Sequence, residues 1–367
     1  MCLKNSFDIL RNWKYYDGFE CVNYSAAIEN PIDFVRGYFA QGAKLDFLFN
    51  SIFDDDNANA NERALHTVNT YFLGVYLFNE LSSLQFSKRG FLGQSNNFLW
   101  AWFICSLYHD AFYNIENQSD GTKVPVQNYS YCDLSRNLLY NQNTINKYYR
   151  KEINPQTRHS KNTPHYDHGI SAATMLYQNY ICEIERLLSE SDNNLFDFIN
   201  GHDLFIGQNG NLRINIKTYH AICKIAKIIA CHNIFICSKK DDLEKYEQSN
   251  LCELILTDNQ FKYMPNKKSS RLCDYEKLYF LMTLVDTLEP TKRKIPTDKI
   301  SIKTQNYDDK IELIIAIDNN IDKKDSYSYF KGIKSLGDWL NFVSVEDEGR
   351  KIIIDFNNNK KPPRTLS

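Results

Sequence analysis

FLWAWFICSLYHDAFY, residues 98–113, is the stretch on which the reading of this chain turns. At 3.6 residues per turn, Phe98, Trp102, Cys105 and His109 fall on one stripe, and Leu99, Phe103, Ser106 and Asp110 on the stripe beside it. The spacing predicts a helix from roughly Asn96 to Tyr113, apolar on nearly every side, with a histidine and an aspartate aimed inward. An ionised carboxylate in such a setting is costly unless it is paired or coordinates a metal. The pair therefore asks for partners elsewhere in the chain.

Working outward, the same pattern recurs. ERALHTVNTYFLGVYLFNE (62–80) has helical period, with His66 leading to Asn69, Leu73 and Leu77. DHGISAATMLYQNYICEIERLLSE (167–190) reads as an amphipathic helix that starts near Asp167 and opens with His168. In IKTYHAICKIAKIIACHNIF (216–235) the row Ile222, Ile225, Ile229 ends on His232, and in DYEKLYFLMTLVDTLE (274–289), stopped by Pro290, the row Leu278, Met282 ends on Asp286. One such residue on an apolar face is ordinary core chemistry, a hydrogen-bonded histidine or a capped acid. Six nitrogen and oxygen donors on separate inward stripes, His66, His109, Asp110, His168, His232 and Asp286, with no cysteine among them, suit hard or borderline divalent ions. A second His-Asp pair, His202-Asp203, sits between glycines in a loop-like stretch and reads as a look-alike.

Composition narrows the function classes. With 43 % hydrophobic residues the chain of 367 has material for a dominant core plus satellites. A formal charge of -2 argues against a dedicated duplex-DNA binder and leaves a small anionic substrate open, with nucleic acid disfavoured. The ten cysteines include no CxxC, and MCLKNSFDILRNWKYYDG lacks the apolar core of a signal peptide. Reduced thiols, a cytoplasmic location and no membrane segment are the expectation.

The expected fold class is mainly α. Residues 1–60 form a helical preface with Pro31 in a first turn, 61–294 the helical core, and 114–164 a cap or insert of strand, turn and helix character. An Asn209-Gly210 hairpin lies between two core helices. After Pro290 the pattern alternates in DKISIKT (298–304), KIELIIAID (310–318) and RKIIIDF (350–356), with a helix around 329–342. This predicts a small C-terminal α+β appendage over 295–358, followed by a frayed tail, 359–367.

LHTVNTYFLG, SLYHDAFY, YDHGISAA, IACHNIF and LVDTLEP, taken in order over about residues 60–294, resemble the successive motifs of the HD superfamily of metal-dependent phosphohydrolases. The resemblance implies an HD-type all-helical core and a two-metal site. His66, His109, Asp110 and Asp286 would hold one ion and Asp110, His168 and His232 the other, with Asp110 as the bridging, catalytic carboxylate. Two divalent ions (Mn, Fe, Co, Ni, Zn or Mg) about 3.5–4 Å apart can share a water, lower its pKa and clamp an in-line displacement at phosphorus. The implied activity is hydrolysis of a phosphomonoester or phosphodiester, above all of a nucleotide or nucleotide-derived messenger. Relatives of this kind also include di-iron oxygenases that cleave C–C or C–P bonds, and non-catalytic ligand-sensing modules; self-association is compatible with any of these.

The pattern departs from the family at one place. Many members carry a lysine three residues beyond the aspartate, where this chain has Tyr113. Tyr113 can donate a hydrogen bond to substrate there, or simply end a helix. His165 is a candidate proton donor to the leaving group, and Lys292 and Arg293 (with Lys294) are candidate substrate contacts that could equally solvate a helix C-terminus.

Overall fold

The computed structural model describes residues 27, 29–37, 60–81, 97–111, 168–177, 225, 226, 228, 229, 232, 274–340 and 342–355. The expected cap at 114–164, the Asn209-Gly210 hairpin, His202-Asp203 and the tail lie outside them. The chain divides into two compact units, one from 1–107, 234–245 and 255–367, the other from 108–233 and 246–254.

In the first unit, helix α1 (Pro31–Gly37) starts on proline, whose fixed φ suits a first turn. It packs on α2 (Ala60–Leu81) through Phe34 and Phe72, with ring centroids 5.9 Å apart. The side chains of α2 are buried from His66 to Phe78, so this helix is a core element and not a surface one. Helix α3 runs Asn97–Tyr108, and its Trp102 Nε1 donates to the Tyr71 carbonyl at 2.9 Å. The indole lies where a Cβ on Gly74 would stand, so the close approach of α2 and Trp102 requires glycine at position 74. Helix α5 (Asp274–Leu288) packs on α2, burying Leu278, Leu281, Met282, Leu284, Val285 and Leu288, and gives way before Pro290 to a short 3-10 turn, Thr291–Arg293.

The residues after Pro290 build a four-stranded antiparallel sheet in the order β1-β2-β4-β3: β1 Ile300–Asn306, β2 Lys310–Ile317, β3 Val343–Glu346 and β4 Lys351–Asp355. Alternation sets its buried side chains, since Ile302 opposes Ile315, Leu313 opposes Ile352, and Ile354 stands between Ile311 and Val343. Helix α6 (Lys323–Trp339), capped by the Asp322 carboxylate on Lys324 N–H at 2.7 Å, packs on β3.

The mainly α expectation is corrected here. Among the described residues, α-helices stand with a four-stranded antiparallel sheet, an α+β composition. The segment after Pro290 is also tied to α2 and α5 by polar contacts. Thr304 of β1 donates to Glu80 of α2 at 2.7 Å and meets Tyr76 at 3.2 Å, and Tyr329 of α6 donates to the Leu288 carbonyl at the end of α5, at 2.8 Å. The alternation after Pro290 was legible, but read alone it could not show that strand and helix share one compact unit. The strand Val343–Glu346 was not foreseen, and α6 begins six residues before the 329–342 segment that suggested it.

In the second unit, helix α4 (His168–Tyr177) buries Ala172, Ala173 and Leu176, and Ile225, Ala226, Ile228 and Ile229 are helical and buried. Cys105 of α3 is a free, fully buried thiol whose pKa burial drives far upward, which leaves it inert.

The Gly74–Trp102 contact has a direct consequence for stability. Gly74→Ala is expected to destabilise the fold by roughly 1–3 kcal/mol or more through overpacking, read as a lower denaturant midpoint. An unchanged midpoint would show that the indole is free to move aside.

Candidate metal centre

In the second unit the chemistry gathers around one carboxylate. After α3 ends at Tyr108, the Ala111 N–H closes on the Tyr108 carbonyl at 3.1 Å, so His109 and Asp110 lie in a turn. This corrects the expected helix to Tyr113; the last helical turn tightens, as helix ends commonly do. Asp110 Oδ1 stands 3.0 Å from His168 Nε2 and 3.5 Å from His232 Nε2, and Asp110 Oδ2 is 3.7 Å from His109 Nε2. The three imidazoles are buried, and the His232 ring meets those of His109 and His168 edge-on at 5.4 and 5.3 Å.

The protonation of His232 follows from its other nitrogen. Nδ1 lies 2.6 Å from the Ile229 carbonyl, which can only accept, so Nδ1 carries the proton. In the neutral ring Nε2 then bears a lone pair. That buried atom has no hydrogen-bond partner among the described residues, and it faces a carboxylate oxygen. Two electron-rich atoms at this separation are reconciled by a second proton on the ring or by a cation shared between them. Asp110, His168 and His232 each offer one ligand atom, all within 4.8 Å of one another, so the group could hold a metal ion. Gly169 makes room for it. A Cβ there would stand 2.8 Å from the Ile229 carbonyl oxygen and 3.1 Å from the His232 ring, which accounts for the glycine after His168.

The first unit holds the other two expected ligands. His66 Nε2 lies 3.3 Å from Asp286 Oδ1, one side chain from α2 and one from α5. Lys292 Nζ donates to the same Asp286 oxygen at 2.6 Å, so this lysine is placed on a carboxylate expected to bind metal. Arg293 is exposed, with its guanidinium beside Gly332 of α6. His165 and Tyr113 lie outside the described residues.

Sequence reasoning passed over Glu289. Its carboxylate is buried, 1 % exposed, and accepts from His66 Nδ1 at 2.6 Å. It also accepts from Asn69 Nδ2 at 3.0 Å, Thr291 Oγ1 at 2.6 Å, Thr291 N–H at 3.0 Å and Lys292 N–H at 3.3 Å. Burial pushes its pKa up, but the charge and hydrogen bond of His66 and the donors of Thr291 outweigh this and hold it below the ordinary carboxylate value. The available signal was spacing: Glu289 follows Asp286 by one helical turn, and Pro290 drew attention to the helix end instead.

No family model, curated protein or solved structure matches this chain. The HD reading therefore rests on the chain's own residues. No described helix is long and apolar enough to cross a membrane.

The Asp110 environment yields a test by substitution. Asp110→Asn is isosteric and supplies an amide N–H to a ring lone pair, so in chelator its melting temperature is expected to equal or exceed that of the native protein. Saturating Mn²⁺ should stabilise the native protein, by about 2.7 kcal/mol at 100 times Kd, and leave the variant unmoved. Equal stabilisation of both would remove Asp110 from the ligand set.

Proposed function

We propose that this protein is a two-metal phosphohydrolase of the HD type, acting on a phosphomonoester or phosphodiester, above all of a nucleotide or nucleotide-derived messenger. The observation that carries the reading is the Asp110 carboxylate among three buried imidazoles, with His232 Nδ1 on the Ile229 carbonyl and its Nε2 facing the carboxylate. In this proposal Asp110, His168 and His232 hold one ion, and His66, His109, Asp110 and Asp286 the other. Each of the six offers a nitrogen or oxygen ligand atom, the donor set that borderline divalent ions prefer. Bound there, two such ions would activate water and neutralise charge on a phosphoryl group.

The remaining steps fall to the chain's own groups. Water adds to phosphorus, the bond to the leaving oxygen breaks, and that oxygen takes a proton, a role proposed for His165. The Lys292 ammonium, already beside Asp286, supplies positive charge for a phosphate oxygen, and Arg293 and Tyr113 are proposed as further substrate contacts. A small substrate fits a chain whose net charge is only -2 better than an extended polyanion does.

The experiment is phosphate release from mononucleotides, cyclic dinucleotides and a chromogenic phosphodiester, with Mn, Mg, Fe, Co and Ni supplied in turn. Release that is abolished by chelator and reduced by at least about 100-fold in Asp110→Ala, the lower end of what a positioned activating group contributes, is expected. Oxygen uptake by an iron-loaded protein with no phosphate release would overturn the proposal.

A further inference from the structure

His232 has its Nδ1 proton placed by a backbone carbonyl; His66 has its own placed by a side chain. Glu289 Oε2 receives His66 Nδ1 at 2.6 Å, and both of its oxygens are surrounded by donors: Asn69 Nδ2, Thr291 N–H, Thr291 Oγ1 and Lys292 N–H. The backbone N–H groups of Thr291 and Lys292 can only donate, so they hold Glu289 as an acceptor. With Glu289 accepting, Nδ1 of His66 carries a proton, and Nε2 is the atom turned toward Asp286 Oδ1, 3.3 Å away.

We infer that Glu289 is a positioning residue that fixes His66 in the Nδ1–H form and aims Nε2 at the Asp286 side, preparing that pair to share a divalent cation. This deepens the proposed function and rests on it for the identity of the cation. The fixing of the ring itself does not depend on that reading. The scaffold that holds Glu289 is built for rigidity. Asn69, one helical turn beyond His66 on α2, binds Glu289 Oε1, and the Thr291–Arg293 turn closes over the carboxylate with two backbone N–H groups. Behind it, Tyr329 of α6 donates to the Leu288 carbonyl, so the sheet-bearing part of the chain pins the backbone from which Glu289 projects. Carboxylates that receive the second nitrogen of a ligating histidine orient the ring and raise its basicity.

Two measurements test this on the full chain. Long-range ¹⁵N–¹H correlation spectra of histidine-labelled protein, with His66 assigned through His66→Gln, read which nitrogen carries the proton; titration with Mn²⁺ followed by electron paramagnetic resonance reads two binding equivalents. In the native protein His66 is expected to be protonated at Nδ1. In Glu289→Ala that signature should disappear and one of the two equivalents should weaken by about 10- to 100-fold, while the other keeps its affinity. Glu289→Gln retains an acceptor for Nδ1 without the charge, so it should restore the Nδ1–H form and recover part of the lost affinity, which a purely structural role would not produce.

A native His66 protonated at Nε2 alone would overturn the inference even if Glu289→Ala fails to fold. So would a folded Glu289→Ala protein that keeps both the Nδ1 proton and both affinities. If the native protein binds no Mn²⁺, the proposed function falls, and the role of Glu289 is then decided by the spectra: loss of the Nδ1–H form in Glu289→Ala supports it, retention refutes it.

Discussion

A backbone carbonyl cannot donate a hydrogen bond, and the 2.6 Å approach of His232 Nδ1 to the Ile229 carbonyl depends on that simple fact. It places a proton on Nδ1 and turns the other nitrogen, Nε2, toward the Asp110 carboxylate, 3.5 Å away. An arrangement in which a lone pair looks at an anion is unfavourable in a low-dielectric interior unless positive charge joins them. The surrounding packing enforces it regardless: Gly169 lets α4 press onto the Ile229 and His232 turn, and the edge-on stacking of three imidazoles leaves the carboxylate enclosed. A group held in this way could take a metal ion.

A parallel arrangement governs His66. There the fixed acceptor is Glu289, itself held by donors from Asn69 and from the turn after α5. What looks like a separate set of strands at the end of the sequence contributes to this. The Tyr329 hydroxyl grips the end of α5, and Thr304 and Asn306 bind Glu80 at the far end of α2 from His66. The sheet thereby braces α2, and α6 braces α5, the two helices that carry the His66 and Asp286 pair, a scaffold task in keeping with the rule that reactive side chains are most precisely held on rigid elements with a supporting shell.

Much of this was legible from periodicity. The row that starts at His66 and those that end on His232 and Asp286 bury residues that helical spacing assigned to them: Asn69, Leu73 and Leu77; Ile225 and Ile229; Leu278 and Met282. The stop of α5 before Pro290 and the strands at 300–306, 310–317 and 351–355 were equally readable. Three things were not. The helix carrying the His-Asp pair ends at Tyr108, because apolar spacing continues through a tightened turn as smoothly as through a helix. The four residues of β3 are too few to show alternation, and without β3 and its contacts the sheet looked like an appendage to a mainly α protein. Glu289 ends a buried row of its own, Leu278, Met282 and Val285, but its role is visible only in the donors that three-dimensional packing brings to it.

Anomalous diffraction from crystals of the full chain soaked in Mn²⁺ tests the central claim most directly. The account requires a manganese peak at coordination distance, about 2.0–2.3 Å, from an oxygen of Asp110 and from Nε2 of both His168 and His232, while Nδ1 of His232 keeps its bond to the Ile229 carbonyl. Crystals in which Mn²⁺ orders only at other sites, with Asp110 hydrogen-bonded to protonated His168 and His232, would contradict it.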